Sequence, residues 1–204
     1  MTTVIHIDND FVACDGKWAS DYGRLCIDDH TVYKYLYFKE KIAFFAGSEY
    51  PIVSRQARLK NLITDEEFIE RSVIQSELSH EIEWLVININ DGAIVGGDSS
   101  NLRGINKLGS GGDYAANFFH YAKKAKYRSY YSNNVIGALR YACYKDPVYT
   151  GDPMTIKSWN QKYPIDTTKN NDHTMYEYQL RERLRELDRG QFGYRKLLYV
   201  KAAF

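Results

Sequence analysis

Residues 31–46 read TVYKYLYFKEKIAFFA and contain two apolar, β-rich runs separated by the charged stretch Lys39-Glu40-Lys41. Thr31–Phe38 and Ile42–Ala46 are therefore predicted to be two strands joined by a turn. The second run shows no alternation of apolar and polar residues. A strand that is apolar on both faces is typical of a sheet that is covered on both sides.

Two further strand pairs are predicted around turns that are rich in Asp, Asn and Gly, the residue types that favour hairpins. They are Thr3–Ile7 with Phe11–Cys14 around Asp8-Asn9-Asp10, and Trp84–Asn88 with Ala93–Val95 around Asn90-Asp91-Gly92. A helix is predicted over Tyr50–Leu62, with Pro51 acceptable in its first turn. Two more are predicted over Tyr114–Ala125 and Asn134–Tyr144, where apolar residues recur at helical spacing. Strands, a helix, strands and then helices make an α+β order, since regular βαβ alternation is absent.

The sequence divides into a core, residues 1–150, and a C-terminal extension, residues 151–204. Residues 151–172 are polar and are predicted to be a largely irregular connection. A helix is then predicted from the capping-box spacing of Thr174 and Glu177 up to Gly190. The last nine residues, KLLYVKAAF, are predicted to add a strand. The apolar face of the helix consists of Tyr176, Leu180, Leu184 and Leu187.

Composition excludes several classes of protein. The chain has 204 residues, 27 basic and 26 acidic side chains and 15% aromatic residues, which argues against disorder and against a dedicated nucleic-acid binder. No apolar run is long enough to span a bilayer, and the N-terminus does not look like a secretory signal. The three cysteines are an odd number and form no CxxC pair, so neither zinc nor disulfides are expected. We expect a cytoplasmic protein without a metal or cofactor.

Four features carry possible chemistry, although each has an ordinary structural explanation when it is taken alone. They are Thr2, Asp15-Gly16 after a strand, Lys34 within a strand, and GSGGDY at Gly109–Tyr114. A phosphate loop is one interpretation of the last feature. It lacks GxGxxG spacing, however, and no Lys-Ser/Thr pair follows it.

The order of these features resembles the proteasome β-subunit and HslV-type peptidases. The chain opens with TTV and continues with ACDGK, a lysine-bearing strand, FAGS and GSGGDYA. The resemblance covers about residues 2–150 and implies an N-terminal-nucleophile hydrolase. Such a protein is a four-layer αββα sandwich, in which two stacked antiparallel sheets are flanked by helices. The activity implied is that of a threonine-type endopeptidase.

The resemblance implies roles for ten residues. Lys34 matches the family's lysine if the turn at Lys39-Glu40-Lys41 is one residue shorter, whereas Lys41 matches poorly. Within YKDPVYTG, the part from Lys145 to Gly151, which contains Asp146, is one residue longer than the family's Arg-Asp-Ala-Tyr-Ser-Gly. The catalytic set is Thr2 as nucleophile after removal of Met1, Asp15, Lys34, Gly47 as oxyanion-binding amide, Ser110 and Asp146. The substrate pocket is Trp18, Val32, Phe45 and Glu49, and a bulky Phe45 favours small or medium apolar substrate side chains.

Elementary chemistry supports such a set. A threonine hydroxyl needs a base, and the free α-amine of an N-terminal threonine, with an ordinary pKa of about 7.7–8.0, can supply one. A nearby Lys34 ammonium is expected to lower the pKa of that amine, and Asp15 is expected to hold Lys34 in place. The Gly47 amide is expected to stabilise the oxyanion.

The resemblance also implies partners. They are a peptide or unfolded-protein substrate, further copies of the chain in a homo-oligomeric ring, and a separate ATP-dependent unfoldase. We expect the face of the C-terminal helix to dock on a neighbouring subunit. Three alternatives stay open: a catalytically inactive structural subunit of the same fold, a non-peptide amidase, and a nucleic-acid-binding module that uses the basic, tyrosine-containing stretch His120–Tyr131.

Overall fold

The computed structural model describes residues 2–20, 25–27, 31–77, 81–125 and 131–201. The strands are β1 (Val4–Ile7), β2 (Phe11–Asp15), β3 (Trp18–Ser20), β4 (Leu25–Ile27), β5 (Tyr35–Phe38), β6 (Lys41–Gly47), β7 (Ile82–Asn88), β8 (Ile94–Asp98), β9 (Ser100–Leu102), β10 (Ile105–Leu108) and β11 (Met154–Ser158). The helices are α1 (Glu49–Leu59), α2 (Asp65–Glu77), α3 (Gly112–Lys124), α4 (Tyr131–Lys145) and α5 (Thr174–Lys201). None of these helices is long and apolar enough to cross a membrane.

The strands form two antiparallel sheets and a short ribbon. One sheet has five strands in the order β11-β2-β1-β10-β9, and the other has four in the order β5-β6-β7-β8. The ribbon pairs β3 with β4. Every strand pairing in the described part of the chain is antiparallel. For β1 with β2 and for β5 with β6 this follows from the tight turns that join them.

Three apolar clusters separate four layers. One cluster lies between the sheets and contains Val4 and Phe44. A second joins the five-stranded sheet to α3 and α4 through Phe11 and Phe119, whose ring centroids are 5.1 Å apart. The third joins the four-stranded sheet to α1 and α5. The α+β prediction and the two antiparallel sheets are therefore confirmed.

Strand β6 shows why the apolar runs of the sequence do not alternate. Ala43 and Phe45 point toward the helices and belong to the cluster with α1, whereas Ile42 and Phe44 belong to the cluster between the sheets. Both faces of β6 are covered, so apolar residues occupy both sides of the strand.

Two predictions about the C-terminal part were wrong, and a third missed one element. Residues 151–172 are largely irregular, as predicted, but they include β11, which pairs with β2 in the register Met154↔Asp15 to Ser158↔Phe11. Helix α5 does not end at Gly190 but continues to Lys201, so the predicted final strand is absent from the described part of the tail. Residues 202–204 lie outside the described residues. The extension at 151–204 is thus joined to the core by a strand as well as by a helix.

The apolar face of α5 packs on its own chain, which corrects the expectation that it docks on a neighbour. Tyr176, Leu180 and Leu184 are 1%, 0% and 4% exposed and belong to the cluster beneath the four-stranded sheet. Ion pairs strengthen this contact, since Arg71 Nη2 lies 2.8 Å from Asp188 Oδ2. The helix is therefore part of the protomer's own core.

Replacing Leu180 and Leu184 together by Asp is expected to unfold the protomer. Two buried carboxylates without partners cost several kcal/mol, which is comparable with the whole stability of a domain. Circular dichroism should show loss of the thermal transition. The matched control replaces Met175 and Tyr178, which are 65% and 61% exposed on the same helix, by Asp. A native spectrum with altered assembly in the Leu180/Leu184 variant would contradict this account of α5.

Candidate active site

The side chains of Thr2 and Lys34 are in contact, although Thr2 lies before β1 of the five-stranded sheet and Lys34 lies before β5 of the four-stranded sheet. The Lys34 ammonium donates a hydrogen bond to Thr2 Oγ and another to the carbonyl oxygen of Lys17. Its Nζ also lies 4.7 Å from the centroid of the Trp18 ring, a favourable cation–π position. Lys34 is only 3% exposed, so its charge acts on the Thr2 hydroxyl with little screening by water.

Asp15, at the end of β2, supplies the negative charge of the site. Its buried carboxylate accepts hydrogen bonds from the Thr3 N–H and, at 3.0 Å, from the Lys17 N–H. Burial raises the pKa of Asp15 to about 6, and the charge of Lys34 and the two backbone donors limit the rise. Asp15 is therefore ionised at neutral pH. It fixes the backbone beside Thr2 and balances the charge of Lys34.

The loop Gly109-Ser110-Gly111 packs directly against the N-terminal residues. A β-carbon at Gly109 would collide with the carbonyl oxygen of Thr2, and one at Gly111 would collide with the Thr3 hydroxyl. Gly109 also has a φ of 76°, which favours glycine. The GSG motif thus allows the loop to approach the chain at Thr2.

The same loop is not suited to bind a phosphate group. The Gly109 N–H donates to Glu83 Oε2 at 2.5 Å, so a carboxylate already occupies the first amide of the loop. A carboxylate at that place repels a phosphate, whereas phosphate sites at helix N-termini offer free N–H groups.

Ser110 belongs to a chain of hydroxyl groups around Asp146. The Ser110 hydroxyl donates to Asp146 Oδ2, and the Thr150 hydroxyl lies 3.5 Å from the same oxygen. Thr150 Oγ is in turn 2.8 Å from Thr3 Oγ. The extra residue in YKDPVYTG therefore does not keep Asp146 away from Ser110. The sequence analysis did not identify Thr150 as a site residue. A signal was present, because Thr150 stands before Gly151 where the family's stretch has Ser before Gly.

Gly47 lies beside this loop at the end of β6. A β-carbon on Gly109 would lie 3.2 Å from Cβ of Ala46, the residue before Gly47. Gly47 has a φ of 130°, and a β-carbon there would collide with the carbonyl oxygen of Glu81. Only glycine fits this position.

The four predicted pocket residues do not line one open pocket. Trp18, Val32 and Phe45 are 6%, 1% and 0% exposed and pack in the cluster with α1 and α5. Glu49 instead accepts two hydrogen bonds from the Arg183 guanidinium of α5, at 2.5 and 2.9 Å. The bulk of Phe45 and the presence of α5 account for this arrangement.

A cavity of about 220 Å³ lies beside the lysine. Its lining includes Trp18, Val32 and Lys34 from the site, together with Pro153 and Lys169 from the C-terminal extension. Cys14 also lines it, and burial raises the pKa of the Cys14 thiol, which keeps the thiol protonated and unreactive. Within the described ranges no three His, Cys, Asp or Glu side chains come close enough to hold a metal ion.

The structure thus brings Thr2, Asp15 and Lys34 together and places Ser110 with Asp146 beside them. It places Lys41 in another region, at the start of β6 and exposed to solvent. Met1 lies outside the described residues. So do residues 126–130, which form nearly half of the basic stretch His120–Tyr131.

The chain matches no protein-family profile and no curated protein. It is similar to solved structures, among them HslV from Trypanosoma brucei, with 18% identity over 76% of this chain and 98% of that chain and a TM-score of 0.49. Thiobacillus denitrificans BPH in complex with epoxomicin has 13% identity over 83% and 100% of the two chains and a TM-score of 0.48. BPH also appears with 12% identity over 83% and 99% and a TM-score of 0.47.

Proposed function

We propose that this protein is a threonine-type endopeptidase in which Thr2, exposed as the N-terminal residue by removal of Met1, is the nucleophile. The observation that carries the proposal is the hydrogen bond from the buried Lys34 ammonium to Thr2 Oγ, with Asp15 ionised nearby. A cation that contacts a threonine hydroxyl stabilises the alkoxide that forms when this oxygen attacks.

Acylation follows from this arrangement. The α-amine of Thr2 takes the proton of the Thr2 hydroxyl as Oγ bonds to the carbonyl carbon of the peptide. The carbonyl oxygen becomes an oxyanion that accepts a hydrogen bond from the Gly47 N–H. The C–N bond then breaks, the amine returns its proton to the leaving nitrogen, and a threonyl ester remains.

Deacylation repeats the same proton transfers with water. The α-amine takes a proton from a water molecule whose oxygen attacks the ester carbon. When the C–Oγ bond breaks, Oγ recovers the proton and the carboxylic product leaves. Ser110 and Asp146, which are hydrogen-bonded to each other beside Thr2, are suited to orient this water and the amine.

Hydrolysis of fluorogenic peptides by protein that begins at Thr2 tests the proposal. We expect turnover by the wild type and its loss in Thr2→Ala, which removes the hydroxyl but keeps the α-amine. A folded wild-type protein that hydrolyses neither peptides nor unfolded proteins would favour the inactive structural subunit. Hydrolysis of small amides but not of peptides would favour the amidase alternative.

We also propose that copies of this chain assemble into a ring with the sites facing an inner chamber, in the cytoplasm, fed by an ATP-dependent unfoldase. The proposal places Tyr121 on α3 and Tyr144 on α4, which are 55% and 76% exposed, among the side chains that a neighbouring copy covers. Light scattering tests the proposal, because a monomer at working concentration would contradict it.

A further inference from the structure

The backbone that carries Lys34 is held by side chains as well as by strand β6. Strand β5 begins at Tyr35, so Val32, Tyr33 and Lys34 lie before the regular ladder. The Trp18 indole N–H donates to the Val32 carbonyl oxygen at 3.0 Å, and the Phe45 N–H donates to the Lys34 carbonyl oxygen at 2.9 Å. Buried N–H and C=O groups of the backbone need hydrogen-bond partners. Here the partners of the Val32 and Lys34 carbonyl oxygens also fix the position of Lys34.

Both peptide groups of Tyr33 are bound by one buried pair of side chains. The Tyr33 N–H donates to the Tyr176 hydroxyl at 3.1 Å, and the Tyr33 carbonyl oxygen accepts from Gln56 Nε2 at 2.7 Å. The Tyr176 hydroxyl donates in turn to Gln56 Oε1 at 2.9 Å. These three hydrogen bonds close a ring in which the hydroxyl both donates and accepts.

The two side chains of this ring of hydrogen bonds are buried, and Tyr33 is partly buried. Tyr176 and Gln56 are 1% and 0% exposed, and the Tyr176 ring stacks on Tyr33 at 5.8 Å between centroids. Burial raises the pKa of Tyr176, so its hydroxyl keeps the proton that it donates to Gln56. Within such a site a hydrogen bond is stronger than in water, and an unpaired partner is costly.

Tyr176 comes from α5, in the extension that the family resemblance does not cover. We propose that Tyr176 is a positioning residue for the peptidase reaction: its hydroxyl binds the Val32–Tyr33 peptide directly and the Tyr33–Lys34 peptide through Gln56, so that Lys34 Nζ reaches Thr2 Oγ. This inference rests on the proposed function, because it concerns the residue that assists the nucleophile there. The C-terminal helix is then a part of the active-site support and not only a cover for the core.

The test compares Tyr176→Phe with Tyr178→Phe in protein that begins at Thr2. Both changes remove a single hydroxyl from the same helix, but Tyr178 is 61% exposed. Displacement of a catalytic group by about 1 Å can cost up to about 100-fold in rate. We expect Tyr176→Phe to lower kcat by about 10- to 100-fold with KM within about twofold, and Tyr178→Phe to leave both unchanged.

A double-mutant cycle separates positioning from general destabilisation. If Tyr176 acts through Lys34, then Tyr176→Phe has no further effect on kcat in a Lys34→Ala background, whereas an independent structural effect persists there. Gln56→Met removes the donor to the Tyr33 carbonyl oxygen from α1. It should lower kcat in the same way, and it serves in place of Tyr176→Phe if that variant does not fold.

The outcomes are distinct. An unchanged kcat in folded Tyr176→Phe, or equal losses in the wild-type and Lys34→Ala backgrounds, would overturn the positioning role while leaving the peptidase proposal intact. Absence of turnover in the wild type itself would overturn the proposed function, and the positioning role with it.

Discussion

A chain that begins at Thr2 is expected to hydrolyse peptides about 10²- to 10⁴-fold faster than a chain that keeps residues in front of Thr2, the range that a positioned general base contributes. The physical reason is that only an N-terminal threonine has a free α-amine next to its own hydroxyl. When another residue precedes Thr2, that nitrogen becomes an amide, which cannot accept a proton at neutral pH.

Two preparations allow this comparison. One is released from a carrier by a cut directly before Thr2, and the other begins Met-Glu before Thr2, so that the methionine is retained. Circular dichroism and light scattering should be the same for both preparations. A difference in turnover then reflects the chemistry of the α-amine and not folding or assembly. Similar turnover in the two preparations would exclude the α-amine as the base without affecting the fold.

Lys34→Ala is expected to reduce turnover at least about 100-fold, whereas Lys41→Ala should be nearly silent. Lys34 donates to Thr2 Oγ, and its loss leaves the alkoxide without a cation and the neighbouring amine more readily protonated. Lys41 starts β6 and Gly47 ends it, so the two lie about 20 Å apart at roughly 3.3 Å per residue.

Lys34→Met is the control for packing, because it keeps most of the side-chain volume but not the charge. It should be as inactive as Lys34→Ala while keeping a thermal transition closer to that of the wild type. An inactive Lys41→Ala beside an active Lys34→Ala would mean that the wrong lysine has been assigned to the site.

Local patterns predicted the central part of the fold. The turns at Lys39-Glu40 and Asn90-Asp91-Gly92 join antiparallel pairs as expected. In the second turn, Asn, Asp and Gly tolerate the backbone that a tight turn needs. The uniformly apolar run Ile42–Ala46 indicated a strand buried on both faces, and β6 lies between the other sheet and α1. These features depend on neighbours in sequence, so the sequence alone could reveal them.

Other elements were missed for two different reasons. Strand β11 is the short polar segment MTIKS, which is a strand because β2 offers an edge, and that edge is distant in sequence. Helix α2 carried a usable signal, since the Thr64 hydroxyl accepts from the Glu67 N–H at 3.2 Å and Glu67 Oε2 accepts from the Thr64 N–H at 2.7 Å. This capping box was readable as Thr-x-x-Glu before Phe68.

The residues of the candidate site also form two groups, those that the sequence could reveal and those that it could not. Thr2, Asp15, Lys34 and Ser110 stand in motifs whose order could be recognised, and the structure brings them together. The contacts of Tyr176 with Tyr33 and Gln56, and of Arg183 with Glu49, follow from the packing of α5 on α1. No local pattern encodes such contacts, because the helix and its partners are more than 100 residues apart.

Intact-mass analysis after exposure to a peptide α′,β′-epoxyketone tests the central claim most directly. The hydroxyl of an N-terminal threonine adds to the ketone of this reagent and the α-amine opens its epoxide, so both groups of Thr2 are needed. We predict one adduct per chain that begins at Thr2, located on Thr2 by peptide mapping, and none when Met-Glu precedes it. A folded chain starting at Thr2 that stays unmodified, or is modified only at a thiol such as Cys143, would contradict the assignment of Thr2 as the nucleophile.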